Sequence, residues 1–229
     1  MTEDQPGQRD VVREHDVLLL DFGGVCLLNP VELHHRAEQL LDLTAGTLTW
    51  KGPVAPETDE LWRRMVAGDG LNERDYWSLR AADVATAAGR ELSLRDYMTL
   101  LYDPPFPGMV RPEAAATVER ALAAGYGVSV LTNDMRAFHG REWEQGIDFL
   151  NLVDHIVDCS DTGILKPDPR AFERAVEVVD APPERILFID DQPINVDGGR
   201  AAGLDSVWFD IANASDSWAD VDRRLAIEP

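Results

Sequence analysis

Five short apolar runs, each closed by a polar residue, constrain the fold of this 229-residue chain more than anything else in it. They are DVLLLD ending at Asp21, GVSVLTND passing through Thr132, HIVDCSD over 155–161, RILFIDD ending at Asp190 and Asp191, and DSVWFD ending at Asp210. Unbroken runs of Val, Leu, Ile and Phe are apolar on both faces, which is the pattern of parallel strands covered on both sides. Helical patterns lie between them. PEAAATVERALAAG (112–125) starts with Pro in a first-turn position and stops at Gly125, DPRAFERAVEVVD (168–180) begins with an Asp that can cap it, and INVDGGRAAG ends on Gly203. Strand alternating with helix over this length predicts an α/β fold, a doubly wound Rossmann-like parallel sheet.

Residues 31–106 interrupt the alternation. They contain no strand run, but three amphipathic segments, VELHHRAEQLLDL (31–43), TDELWRRMVAG (58–68) and NERDYWSLRAADVATAAG (72–89), before a proline-rich exit, DPPFPG (103–108). This predicts a discontinuous core over 17–30 and 107–229, with 31–106 inserted as a helical lid over the carboxyl edge of the sheet. The polar stretch 1–16 reads as a flexible tail without the apolar segment and cleavage site of a signal peptide. No run approaches the ~18 apolar residues of a membrane span. A net charge of −21 argues against nucleic acid and anionic lipid as partners. Cys26 and Cys159 have no metal-binding spacing, so both are expected as small buried hydrophobes in a reducing compartment, the cytoplasm by default. Oligomeric state is not readable.

Ligands of an open parallel sheet bind beyond the carboxyl ends of the strands, where the strand order reverses. Asp21, Thr132, Asp190 and Asp191 all fall at such ends. Carboxylates gathered there repel one another unless a cation sits among them, and oxygen ligands without His or Cys favour magnesium over zinc. Lysine is scarce: Lys51 and Lys166 stand against 19 Arg, and Lys166, in GILKPDP, lies just past the third run. A carboxylate nucleophile, a magnesium ion, a hydroxyl and a lysine suit phosphoryl transfer, because metal and lysine offset the charge of the group that the carboxylate attacks.

DFGGV (21–25), LTND (131–134), Lys166-Pro167, the Asp190-Asp191 pair and the NVDGGRAAG that follows it occur in the order of four motifs. In that order, and from Val17 to Asp210, the chain resembles the haloacid dehalogenase superfamily of hydrolases, and the insertion is similar to that family's α-helical cap. The resemblance implies that Asp21 is a nucleophile forming an aspartyl-phosphate. It implies that Thr132 and Asn133 bind the phosphoryl oxygens and that Lys166 holds nucleophile and phosphate. It further implies Mg2+ held by Asp21, Asp191, the backbone carbonyl of Gly23 and, through water, Asp190. The substrate would be a small phosphorylated metabolite.

One position departs from the pattern. The family's phosphatases usually carry Asp two residues past the nucleophile, as general acid and base, and here that residue is Gly23. Such a group is worth ~10² to 10⁴ in rate. Three activities are compatible with its loss. The first is a phosphatase whose proton transfer falls to an insertion residue such as His34, to metal-bound water, or to an ester whose leaving group needs little protonation. The second is a metal-free haloacid dehalogenase, although the acidic pair would repel an anionic substrate. The third is a phosphate- and metal-binding module without turnover. His34 and His35 lie on an amphipathic segment, and Trp50, Trp62 and Trp77 are expected mostly in the packing of the insertion.

Overall fold

The computed structural model describes residues 13–228. The five apolar runs become β1 (Val17–Leu20), β2 (Gly127–Thr132), β3 (His155–Asp158), β4 (Ile186–Asp190) and β5 (Asp205–Trp208). They form one sheet in the order β3-β2-β1-β4-β5 with every neighbouring pair parallel. Leu20 lies level with Val130 on one side and Ile189 on the other, and the Asp21 amide donates to the Ile189 carbonyl at 2.8 Å. The strand order therefore reverses between β1 and β4, and the residues leaving those two strands, Asp21 and Asp190, share the crevice where such sheets bind ligands.

Successive strand residues feed opposite faces. Leu18, Leu20, Val130 and Ile189 enter one apolar cluster, while Val17, Leu19, Leu131 and Phe188 enter the other. This double burial is why the strands read as continuous apolar runs. Between β1 and β2 stand α1 (His34–Leu40), α2 (Glu60–Val66), α3 (Glu73–Ala88), α4 (Leu94–Tyr102) and α5 (Pro112–Ala123). The later crossovers carry α6 (Met135–Gln145), α7 (Pro169–Val179) and α8 (Pro193–Ala201), and α9 (Ala214–Arg224) follows β5. α5 and α9 join the first cluster through Val118, Trp218 and Val221. α7 joins the second through Phe172, and α8 packs so tightly there that a Cβ on Gly199 would stand 2.8 Å from the Phe188 ring.

Residues 31–106 contribute α1 to α4 and no strand to the sheet. Their root is a short ribbon: the Leu28 amide donates to Met109 and the Arg111 amide to Cys26, both at 2.8 Å. The Arg111 guanidinium, 5% exposed, locks this root by donating to the Gly24 carbonyl and to the Glu32 carboxylate at 2.8 and 2.5 Å. Within the insertion, buried Asp59 caps α2 at the Trp62 amide and also accepts from Gly52, Tyr76 and Arg80. Trp50, Trp62 and Trp77 pack edge to face around Tyr76.

Three helices have no counterpart in the pattern of the sequence. α4 follows α3 after a five-residue connection, α6 is broken at Gly140 (φ 80°, ψ 173°), and α9 is mostly polar. Of the stretch read as a tail, residues 1–12 lie outside the described residues, and 13–16 are not a tail. His15 is buried with Nε2 2.9 Å from Asp205, and Arg185 holds Asp16 at 2.9 and 2.6 Å. Among the described residues no helix is long and apolar enough to cross a membrane.

Candidate active site

β1 ends in a loop that only glycine permits. Gly24 has φ +78°, and a Cβ there would stand 3.0 Å from the Asp191 Oδ2 atom and from Ile211. The turn thus brings the residues after β1 against those after β4. Asp21, at 8% exposure, faces Lys166, whose Nζ donates to Asp21 Oδ1 at 2.8 Å, to Asp190 Oδ2 at 2.7 Å and to the Leu131 carbonyl at 2.8 Å. All three ammonium protons are used. Burial opposes the charge on Lys166, but Asp190 and Asp21 outweigh it and hold the ammonium well above its ordinary range. Burial raises the Asp21 carboxyl, with Lys166 opposing and Asp190 adding to the rise. The Asp191 carboxyl is raised by burial and then by Asp190 and Asp21.

One oxygen each from Asp21, Asp190 and Asp191 lie within 4.8 Å of one another, and all three residues are buried. Lys166 supplies one positive charge against three carboxylates, so the cluster as built lacks about two charges, which is what a divalent cation supplies. An all-oxygen donor set suits Mg2+. The three acids differ in what else they do. Asp190 accepts from Lys166, from the Gln192 amide at 2.8 Å and from Asn195 Nδ2 at 3.1 and 3.2 Å, so both of its oxygens are engaged. The Asp191 carboxylate, among the described residues, accepts only a 3.3 Å bond from Gln192 Nε2 and opens to the cavity.

The cavity, of about 110 Å³, lies between the strand ends and the insertion. Asp21, Gly23, Thr132, Asn133, Lys166 and Asp191 line it, so every residue expected at the site except Asp190 reaches its wall. The carboxamide of Asn133 is taken up locally: Oδ1 accepts from the Lys166 amide at 2.8 Å and Nδ2 donates to the Lys166 carbonyl at 3.3 Å. It ties the loop after β2 to the one carrying the lysine. Gly23 is exposed, and a Cβ on it would meet nothing within 4 Å.

The insertion supplies the opposite wall with residues that neither composition nor motif singles out. Glu73 and Arg74 are the first two residues of α3, fixed there by a reciprocal cap in which Asn72 and Asp75 bind each other's backbone amides at 3.1 and 3.0 Å. Arg74 reaches across to Asp134 of the core at 2.8 Å, and the Trp77 indole donates to Glu73 Oε1 at 3.3 Å. Burial, then the charges of Asp21 and Asp190, push the Glu73 carboxyl up to about 7; the side chain is half-buried, and water reaching it tempers that shift. Phe22, Met98, Tyr102, Phe138 and Trp143 give the enclosure an apolar side, into which Asn29 and His139 also reach.

His34 and His35 are not in this wall. His34 is buried against Trp50, ring centroids 4.2 Å apart, and burial, then the charge of Lys51, lower it to about 4. His35 lies exposed beside Gln39. Their helix turns them towards the interior of the insertion and towards solvent. Of the three tryptophans only Trp77 reaches the cavity. The signal that could have pointed to Glu73 is the gap itself: a glycine where an acid is wanted, and a glutamate at the start of a helix in the inserted segment.

A sequence model of the haloacid dehalogenase-like hydrolases matches residues 15–203. The chain is 31% identical over 162 residues to phosphoserine phosphatase of Thermus thermophilus, an alignment covering 70% of this chain and 56% of that one. It is 31% identical over 125 residues to a phosphatase of Mycobacterium tuberculosis, covering 55% of this chain and 54% of that protein. To (S)-2-haloacid dehalogenase 1 of Pseudomonas sp. it is 24% identical over 181 residues, covering 76% and 79%. The chain thus spans little more than half of the two phosphatases. Among solved structures, a HAD-hydrolase of Bacillus subtilis bound to magnesium shares the fold, with a TM-score of 0.62, 20% identity and coverage of 86% and 87%.

Proposed function

Because the chain belongs to the haloacid dehalogenase-like hydrolases, we propose that this hydrolase is a magnesium-dependent phosphatase of a small phosphorylated metabolite, acting through an aspartyl-phosphate on Asp21. The observation that carries this reading is the buried trio of Asp21, Asp190 and Asp191 with Lys166 as its one cation among the described residues. An anionic phosphoryl group approaches such a cluster only if a metal offsets it. Mg2+, when bound, neutralises charge on the transferred group. Asp21, Asp191 and the Gly23 carbonyl would hold it, the three together forming one wall of the cavity.

The chain's own residues then divide the labour. Asp21 Oδ attacks phosphorus. Lys166 holds that carboxylate and offsets the charge of the phosphoryl oxygens, which the Thr132 hydroxyl binds. Asp190 acts through Lys166, with every oxygen already engaged, which is a positioning role beside that of carrying a metal-bound water. Asn133 positions the lysine's backbone. The insertion serves as a cap: its Arg74 bonded to Asp134 closes the cavity and excludes water during attack. The size of the cavity and its apolar wall favour a small leaving group. Free Cys26 and Cys159, both buried, suit the cytoplasm.

A dehalogenase reading draws support from the Pseudomonas relative and from Gly23, since halide leaves without a proton. The uncompensated acids weigh against it. Phosphate release from para-nitrophenyl phosphate decides: it should require Mg2+ and vanish in Asp21→Asn. Halide release from a 2-haloacid that persists in chelator would overturn the phosphatase reading.

A further inference from the structure

Gly23 leaves a hole in the chemistry that the fold does not leave empty. The space where its side chain would stand is open, with nothing within 4 Å of a built Cβ, and it faces the same cavity as Asp21. A phosphatase without a proton donor there would expel a poor leaving group slowly. The wall opposite, made by the start of α3, presents a carboxylate. We infer that Glu73, reaching in from the insertion, is the general acid and base of this enzyme, replacing the acid missing at position 23. The inference rests on the phosphatase reading above.

Three observations place Glu73 for that task. Its position is set by the reciprocal cap of Asn72 and Asp75, which makes it the first residue of α3. Its neighbour Arg74 bonds Asp134 in the loop after β2, beside Asn133 and Thr132, so the start of α3 is held against the strand ends. Its carboxylate is steered by one weak bond from Trp77 to Oε1, and among the described residues Oε2 accepts no hydrogen bond and is available to a leaving oxygen. An insertion residue also ties proton transfer to closure: the donor is present only when the cap covers the site. The elevated carboxyl of Glu73 is in keeping with a group that is protonated when substrate arrives.

The steps balance. Asp21 Oδ forms a bond to phosphorus, the bond from phosphorus to the ester oxygen breaks, and that oxygen leaves with the electron pair and takes the proton of Glu73. The Glu73 carboxylate then takes a proton from water, whose oxygen attacks phosphorus. The bond from phosphorus to Asp21 breaks, and the Asp21 carboxylate, inorganic phosphate and protonated Glu73 are restored.

The test compares two esters with the Mg2+-loaded protein: phenyl phosphate, whose leaving group needs a proton, and dinitrophenyl phosphate, whose leaving group does not. Glu73→Gln should lower turnover of phenyl phosphate about 10²-fold and that of dinitrophenyl phosphate at least about tenfold less. Adding Gly23→Asp to Glu73→Gln, into the open space at position 23, should restore phenyl phosphate turnover. Equal losses on the two esters, no loss on either, or no recovery with Gly23→Asp would overturn the role of Glu73 while leaving the phosphatase reading intact. Absence of Asp21-dependent phosphate release from either ester by the parent protein would overturn both.

Discussion

Removing the Lys166 charge and removing one of its carboxylate partners should cost the fold far less together than the sum of the two separate losses. Lys166 is 1% exposed and makes three bonds of 2.7 to 2.8 Å, two of them to carboxylates that are themselves buried. Lys166→Met keeps the length and apolar stem but leaves Asp21 and Asp190 facing each other without a cation. Breaking a buried ion pair from one side costs about 3 to 5 kcal/mol. At about 2 to 4 °C per kcal/mol for a chain of this size, that lowers the thermal midpoint by roughly 10 °C. Asp190→Asn alone also strands part of the network, since Lys166, Gln192 and Asn195 all donate to it. In the double variant the two penalties overlap, because the stranded lysine and the stranded carboxylate are both gone. The coupling between the two substitutions should therefore be about 2 kcal/mol or more. The assay is urea unfolding of the four proteins in chelator, so that no metal substitutes for the lysine. Additivity within about 0.5 kcal/mol would refute the account of one mutually dependent charge cluster.

The two glycines after the nucleophile should behave oppositely in thermal unfolding. Gly24→Ala, at φ +78° and 3.0 Å from Asp191, should destabilise by more than about 1 kcal/mol, whereas Gly23→Ala, with open space around it, should be close to neutral. Arg111→Met should lose about 1 to 3 kcal/mol, chiefly by leaving the buried Gly24 carbonyl without its donor, and a smaller loss of urea midpoint in Glu32→Gln will show that the carbonyl rather than the ion pair matters. His34 is lowered from 6.5 to about 4, chiefly by burial, so the unfolded chain binds its proton first: the stability this residue contributes is complete above about pH 6.5 and is lost as pH falls towards 4. Between pH 7 and 5 that loss is about 2 kcal/mol, and His34→Gln should flatten it; an unchanged slope would show that His34 is not buried neutral.

The strands were legible because burial on both faces writes itself as unbroken apolar runs, and the polar residue at each run's end marked the edge where the site lies. Asp21, Thr132, Lys166 and Asp191 reach one cavity for that reason. α4, α6 and α9 were not legible: α4 is one of two helices in quick succession, Gly140 breaks the period of α6, and α9 turns only an apolar stripe of Trp218 and Val221 to the core. Glu73 was hidden for a different reason. Nothing local distinguishes it from any glutamate in the first turn of a helix, where acids are favoured by the helix dipole. Only the packing of α3 onto the strand ends, more than fifty residues from Asp21, gives it a place in the site. His34 is the insertion residue the sequence offers for proton transfer, yet the aromatic cluster around Trp50 takes it into the interior of the insertion.

In the proposed reaction Asp21 carries the phosphoryl group. Rapid acid quenching of the Mg2+-loaded protein during turnover of para-nitrophenyl phosphate, followed by mass analysis of the peptide containing Asp21, tests it most directly. A phosphate adduct on that peptide, absent in Asp21→Asn and absent in chelator, is the predicted result. Phosphate release that proceeds with Asp21 unmodified, or undiminished in Asp21→Asn, would contradict it.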